Sequence, residues 1–240
     1  MKTLLHDISF LIIIRLDSII RLENLLITTR FLTENFDTNI FVNEYDKFNK
    51  LKPQGVHYEF YQDYDSILFR TRFLNEMVKK AKTPFVSIWD ADVIVNHNQI
   101  EKAVEYLRKG YDFVYPYTGP FYNTSEELRQ IYSETADIKL LENYTPFMEK
   151  LYGKNPVGGA FFANKRKYIE CGIENEDFYG WGLEDGERFK RFKEQGCSIA
   201  RVNGPIFHLT HPRGNNSKIS SRYIDLEKRR LYYKTTKEII

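Results

Sequence analysis

Apolar residues run without alternation from Ile8 to Ile14, the mark of a strand buried on both faces within a mainly parallel sheet. Arg15 to Asp17 give this run a polar end. Ile19, Leu22, Leu26 and Thr29 then recur at helical spacing behind Ser18, which can serve as an N-cap. A short strand over Asn39–Val42 is expected next, ending in Asn43, Glu44 and Asp46. Residues 66–81 have amphipathic helical spacing, with Leu74, Met77, Val78 and Ala81 on one side and Arg70 and Arg72 among the polar positions. Thr83-Pro84 stops that helix. Phe85 to Trp89 is again continuously apolar and ends on Asp90-Ala91-Asp92. A helix over 98–109, closed by Gly110, leads into a strand over 111–117.

Strand and helix alternating in this way predict an α/β fold, doubly wound, with a mainly parallel central sheet flanked by helices. Such sheets bind ligands at the carboxyl ends of their strands. Here those ends collect Arg15 with Asp17, Glu44 with Asp46, and Asp90 with Asp92. The second half is less regular: an insertion with one or two helices over 121–150, a glycine-hinged strand over 156–163, a helix over 184–195 closed by Gly196, and a last extended segment over 198–211.

Charge and composition narrow the function. With 35 basic against 33 acidic residues in 240, the net charge of +2 lacks the basic excess of a nucleic-acid binder. Aromatic residues at 15% are far from a disordered composition. Two cysteines, Cys171 and Cys197, make neither a disulfide scaffold nor a cysteine zinc site and fit a reducing compartment. The apolar run from Phe10 to Ile14 falls well short of the roughly 20 residues of a membrane span, and His6 and Asp7 interrupt any signal-like segment, so a cytoplasmic protein is expected. Residues 1–217 read as a single domain and 218–240 as a basic helical tail, with seven Lys or Arg over 218–237 against Asp225 and Glu227. Such a tail is either a solvated helix or a peripheral contact with anionic lipid at the inner face of the membrane.

Three motifs carry chemistry. Asp90-Ala91-Asp92 holds two carboxylates at the rim of a buried strand, where a divalent cation bridging nucleotide phosphates would offset their charge. Phe178 to Glu187 reads Phe-Tyr-Gly-Trp-Gly-Leu-Glu-Asp-Gly-Glu. Its glycines allow close backbone approach to a ligand, the indole of Trp181 offers a face to a sugar ring, and Glu184 and Asp185 stand at a helix start. His208 and His211 close an apolar strand and can complete a metal site begun by Asp92. That mixed oxygen and nitrogen donor set favours Mn²⁺ over Mg²⁺.

Pro156-Val-Gly-Gly-Ala-Phe-Phe-Ala-Asn164, followed by Phe178 to Asp185, resembles the acceptor half of the β-1,4-galactosyltransferases and the related bacterial polysaccharide polymerases, which have the GT-A glycosyltransferase fold. The resemblance takes in Ile13 to Asp17, the Asp90/Asp92 pair and His208 to His211. It implies a metal-dependent inverting glycosyltransferase that moves a hexose or N-acetylhexosamine from a UDP-sugar to a hydroxyl of a glycan or lipid-linked saccharide acceptor, in bacterial surface polysaccharide synthesis. By the same resemblance residues 1–117 are the nucleotide-sugar half and 118–217 the acceptor and metal half. Asp185 is the base and Glu184 orients the acceptor or its loop. Asp92, His208 and His211 hold the metal, a Met standing where His208 does in the animal enzymes. Arg15, Asp17 and Glu44 hold the nucleoside, with Asp90 also on the donor side. Arg72 and Asn75 face the donor's phosphates or sugar, Arg70 competing with Arg72. Gly159, Tyr179, Trp181 and Glu184 meet the acceptor. Where the animal enzymes carry a further acid that helps read the acceptor's N-acetyl group, this chain has Gly186.

Two other readings remain open. A nucleotidyltransferase would show a glycine-rich phosphate loop after the first strand, where this chain has Arg-Leu-Asp-Ser. A catalytically inactive carbohydrate-binding domain would be expected to have lost Asp92, Asp185 or a histidine.

Overall fold

A computed structural model of the chain describes residues 2–50, 53–214, 216–218 and 221–236. The elements are β1 (Thr3–Ile14), α1 (Ile19–Asn35), β2 (Phe36–Asp46), β3 (His57–Gln62), α2 (Arg70–Lys80), β4 (Phe85–Trp89), β5 (Val93–Ile94), α3 (His97–Arg108), β6 (Phe113–Tyr115), β7 (Phe121–Asn123), α4 (Glu126–Thr135), α5 (Ile138–Asn143), β8 (Glu149–Lys150), β9 (Ala160–Asn164), α6 (Lys165–Glu170), α7 (Glu184–Glu194), β10 (Ile199–Arg201), β11 (Ile206–His208) and α8 (Arg222–Thr236).

Seven strands form the main sheet in the order β10-β6-β9-β4-β1-β2-β3. Its β3-β2-β1-β4 part is wholly parallel, because the chain returns to the same end before each new strand. The β1 residues Ile8 to Ile14 are buried on both faces, and Phe10, Trp89 and Phe162 meet edge to face in the core with ring centroids 5.5–6.0 Å apart. From late in the chain, β9 inserts antiparallel between β4 and β6. The register sets Trp89 opposite Ala160, and the Asp90 N–H donates to the Gly159 carbonyl at 2.8 Å. The sheet itself thereby lays the Asp90 turn against the Gly158-Gly159 pair.

A second, four-stranded sheet has the order β5-β11-β7-β8. β5 begins one residue after Asp92 and pairs His208 with Val93, while β7 pairs Asn123 with His208. Strand register thus brings Asp92, Asn123 and His208 together from three distant parts of the chain.

Several boundaries differ from the sequence expectation. The edge strand β3 was not expected; it is only partly buried, so no continuous apolar run marks it. The segment over 198–211 is two strands in different sheets, split at Gly204, where φ is +139° and an added Cβ would meet the Gln99 side chain at 2.5 Å. In α1, Leu22 and Thr29 face the core as the spacing predicts, whereas Ile19 and Leu26 face solvent; the buried residues are Asn24, Leu25, Ile27, Thr28, Thr29, Phe31 and Leu32. Ser18 does cap that helix, accepting from the Arg21 N–H. Of the expected basic tail, residues 219–220 and 237–240, Lys237 included, lie outside the described residues. The described part is α8, which packs against α7. No helix among the described residues is long and apolar enough to cross a membrane.

Candidate active site

A cavity of about 470 Å³ opens at the carboxyl ends of β1 and β4. Arg15, Asp90, Asp92, His208, His211, Gly159, Trp181, Glu184 and Asp185 line it. A second, more polar cavity of about 490 Å³ shares Arg15, Arg213 and Asn216 with the first and is lined further by Asp17, Asp46 and Lys47.

Asp92, His208 and His211 present ligand atoms that all lie within 4.8 Å of one another. His208 donates from Nδ1 to the Asn123 Oδ1 at 2.8 Å, and His211 from Nδ1 to the Pro212 carbonyl at 2.9 Å. Each imidazole is thereby fixed with Nε2 toward the Asp92 carboxylate, at 3.9 Å and 3.2 Å. Oxygen acceptors on the outer nitrogens are the support that metal-ligating histidines need. Burial lowers the His208 pKa and so favours the neutral, ligating imidazole. Burial opposes an ionised Asp92, yet His208, His211 and Arg21 together hold its carboxyl well below the usual range. One carboxylate and two imidazoles fit a divalent transition-metal ion such as Mn²⁺.

Helix α1 fastens this corner through two buried polar side chains that an apolar pattern could not flag. Asn24 donates to the Leu209 carbonyl at 2.8 Å and Thr28 to the Ala91 carbonyl at 3.0 Å. A buried amide and a buried hydroxyl one turn apart were the available signal, since such groups are kept only when hydrogen-bonded.

Asp90 pairs with Arg70 at 2.6 Å. Burial pushes the Asp90 carboxyl up, and Arg70 pulls it back. Of the two arginines, Arg70 is the one that lines the cavity. Arg72 points away, 57% exposed and 3.6 Å from Glu76 on its own helix, because the α2 face it occupies is the solvent face. Asn75 also departs from expectation: it is buried in a clamp on the Glu174 backbone and Glu176, at 2.9 Å each way. Glu44 is wholly buried under the Tyr58 hydroxyl, since residue 44 lies within β2 and not beyond its end. Tyr179 gives its hydroxyl to Asp65 at 2.6 Å and packs edge to face on Phe69. Glu44, Arg72, Asn75 and Tyr179 are therefore outside both cavities. Arg15 is buried at the end of β1, donating to the Tyr45 and Asp65 carbonyls at 2.8 Å and pairing with Asp63.

At the same cavity, α7 starts with Leu183 at φ +72°, a left-handed turn that sets Glu184 and Asp185 on its first turn. Asp185 is held by Arg188 at 2.8 Å; Arg188, itself 1% exposed, is shared with Glu174 at 2.9 Å. An added Cβ at Gly158 would fall 2.7 Å from the Asp185 carboxylate, so only glycine admits that side chain to the cavity. Gly159, at φ +83°, is similarly closed by Phe121 at 2.8 Å. Glu184 is buried with one oxygen lacking a hydrogen-bond partner among the described residues; burial, aided by Asp185, pushes its pKa up to about 7. Trp181 is half-buried, with the Arg213 guanidinium 5.9 Å from its ring centre.

Comparison with known proteins agrees with this geometry. Residues 71–172 match the family described as glycosyl transferase family 2, and residues 139–213 match that described as the N-terminal domain of galactosyltransferase. The first stretch holds Asp90 and Asp92, and the second holds Gly159, Trp181, Glu184, Asp185 and both histidines. Human and mouse β-1,4-galactosyltransferase 7 are each 25% identical over 122 residues, which is 51% of this chain and only 28% of the relative. The catalytic domain of Drosophila β-1,4-galactosyltransferase 7, solved with xylobiose, superposes with a TM-score of 0.59 at 18% identity, covering 94% of this chain and 80% of that one. A variant of that enzyme, solved with manganese, UDP-Gal and xylobiose, gives 0.58 at 17% identity, covering 92% and 79%. A mannosyltransferase from Pyrobaculum calidifontis, solved with GDP-Man and Mn²⁺, gives 0.52 at 12% identity, covering 87% and 58%. The chain thus has the GT-A glycosyltransferase fold and, over residues 139–213, a sequence similar to that of the galactosyltransferases.

Proposed function

We propose that this chain is a metal-dependent inverting glycosyltransferase that transfers a hexose or N-acetylhexosamine from a UDP-sugar to a glycan hydroxyl. The observation that carries it is one cavity holding both a metal-ligand triad and a tethered carboxylate, Asp185. The Drosophila relative, solved with manganese, UDP-Gal and xylobiose, supports the same donor, ion and acceptor classes here.

Asp92, His208 and His211 would hold the ion, which when bound acts as a Lewis acid toward the diphosphate. Arg15 and Arg70 supply further positive charge on that side, and Asp17 lines the adjoining polar cavity suited to the nucleoside. Asp185 accepts the proton of the acceptor hydroxyl as its oxygen attacks the anomeric carbon from the face opposite the leaving diphosphate. Arg188 keeps that carboxylate aimed, and Trp181 offers a flat face to the acceptor ring. Glu184, beside Asp185, orients the acceptor or its loop. A nucleotidyltransferase reading gains no support, because no glycine-rich phosphate loop follows β1.

Polysaccharide synthesis in the cytoplasm is the setting this reading implies. Lipid-linked acceptors would draw on the exposed Lys218, Arg222 and Lys234, since Lys228, Arg229 and Arg230 of α8 are engaged within the chain. The test is UDP release and glycoside formation with a panel of UDP-sugars and saccharides, in Mn²⁺ and in EDTA. Mn²⁺-dependent transfer giving an anomer opposite to the donor's is expected. Transfer undiminished in EDTA overturns the ion, and a retained anomer overturns the base.

A further inference from the structure

Helix α8 comes from outside the two matched segments, yet it builds part of the cavity. Its Lys228 donates to the Trp181 carbonyl at 2.6 Å, fixing the glycine-flanked loop. Its Tyr232 ring lies 3.4 Å from where a Cβ at Gly186 would stand, so α8 occupies the space beside the start of α7. One turn apart on α8, Asp225 and Arg229 both line the cavity, as do Trp181, Gly182 and Leu183. Arg229 Nε donates to the Asp225 Oδ2 at 2.9 Å. The other oxygen, Oδ1, is shielded from solvent and has no hydrogen-bond partner among the described residues.

A shielded carboxylate oxygen without a donor is costly, and its location narrows what could satisfy it. Arg70 Nη1 and Glu184 Oε2, on other parts of the same cavity wall, are likewise shielded and without a hydrogen-bond partner among the described residues. Unsatisfied donors and acceptors therefore gather where a polar ligand would sit. Asp225 is on the side of Trp181, where the acceptor ring is expected. With Arg229 it forms a pair of no net charge offering one acceptor and the remaining guanidinium donors, a combination that matches neighbouring hydroxyls of a neutral sugar ring.

We propose that Asp225, steadied by Arg229, is an acceptor-specificity residue that takes a hydrogen bond from a hydroxyl of a neutral saccharide. The assignment rests on the glycosyltransferase reading above. It adds a wall to the acceptor site that neither the glycine-rich loops nor Glu184 and Asp185 provide.

The test uses the full chain with UDP and Mn²⁺, titrated with xylobiose, cellobiose, lactose and chitobiose while tryptophan fluorescence reports on Trp181. Asp225→Ala should weaken binding of the preferred disaccharide about tenfold, the worth of one hydrogen bond to a charged group. Asp225→Asn, of the same size and still offering an oxygen, should weaken it less, and UDP affinity should move less than about twofold in both. Saccharide affinity unchanged in both variants overturns the assignment, as does wild-type protein that binds none of the four. Saccharide binding sensitive to Asp225 in a protein that transfers no sugar from any UDP-sugar would strike the enzymatic reading instead and leave Asp225 as a saccharide ligand.

Discussion

Residues 3–115 and residues 116–217 reach the same cavity by different means. The first stretch is built on long strands such as β1 and β2, whose C-terminal halves are buried, and its functional groups stand near where its strands end. The second contributes strands of two to five residues, and its functional groups stand in loops or at the ends of short elements, each held by an individual contact: Asp185 by Arg188, Trp181 by Lys228, His208 by Asn123. A rigid sheet edge is suited to gripping a ligand common to many reactions, such as a nucleoside diphosphate. Loops fixed by side chains can be re-aimed by single substitutions, as a varied acceptor requires.

The sharpest way to separate the two is at Asp185. Asp185→Asn keeps size and should lower kcat by about 10²–10⁴-fold, the usual contribution of a positioned base, while UDP affinity by calorimetry stays near that of the wild type. Near-normal turnover would move the base elsewhere, with Glu184 the next candidate.

On the donor side the expected contrast lies within one helix. Arg70→Ala removes the cation paired with Asp90 and should weaken UDP-sugar binding roughly 10–100-fold, as expected for a charged hydrogen bond in a shielded site. Arg72→Ala breaks only an exposed pair and should change binding by less than about twofold. Equal losses would mean that α2 presents a different face to the ligand than described.

A further expected effect is on stability and has a definite sign. Burial raises the Glu184 pKa from 4.5 to about 7, so the folded chain binds this proton more tightly than the unfolded one. Its contribution is fully present below about pH 4.5 and drains away as pH rises through about 7. Gln carries no such proton. Glu184→Gln should therefore gain stability relative to the wild type between those limits, by on the order of 3 kcal/mol. Urea unfolding at pH 4.5, 6 and 8 measures it, and parallel profiles would contradict a raised pKa.

How far these features could be read from residues alone follows the same division. Phe85 to Trp89 is one strand as expected, α7 begins at Glu184 as its glycine-flanked approach suggested, and the Asp92, His208 and His211 side chains meet. Apolar runs and glycine punctuation are local signals, and they survive folding. What could not be read depends on partners far away in sequence. The phase of α2 that turns Arg70 inward and Arg72 outward is set by what the helix packs on. Glu44 looks like a strand-end acid until β2 is found to run on to Asp46 beside β3. The hydroxyl of Tyr179 is taken by Asp65, 114 positions earlier. Asn24 and Thr28 read as unremarkable helix positions until the loops they fasten are in place.

The insertion of β9 has a further consequence, in the order of assembly. The middle of the main sheet is filled by residues 160–164, long after β4 at 85–89 and β6 at 113–115 have been made. A chain emerging from the ribosome N-terminus first must carry β4 with one edge unpaired for about seventy further residues, a state that invites pairing with another chain. Neither half can complete its own sheet, so a fragment ending near residue 117 should aggregate when expressed alone and regain solubility only with the missing strand supplied. The contact that seats Gly159 beside Asp90 is also the one that ends this exposed interval, so the protein leaves its aggregation-prone stage as its cavity takes shape.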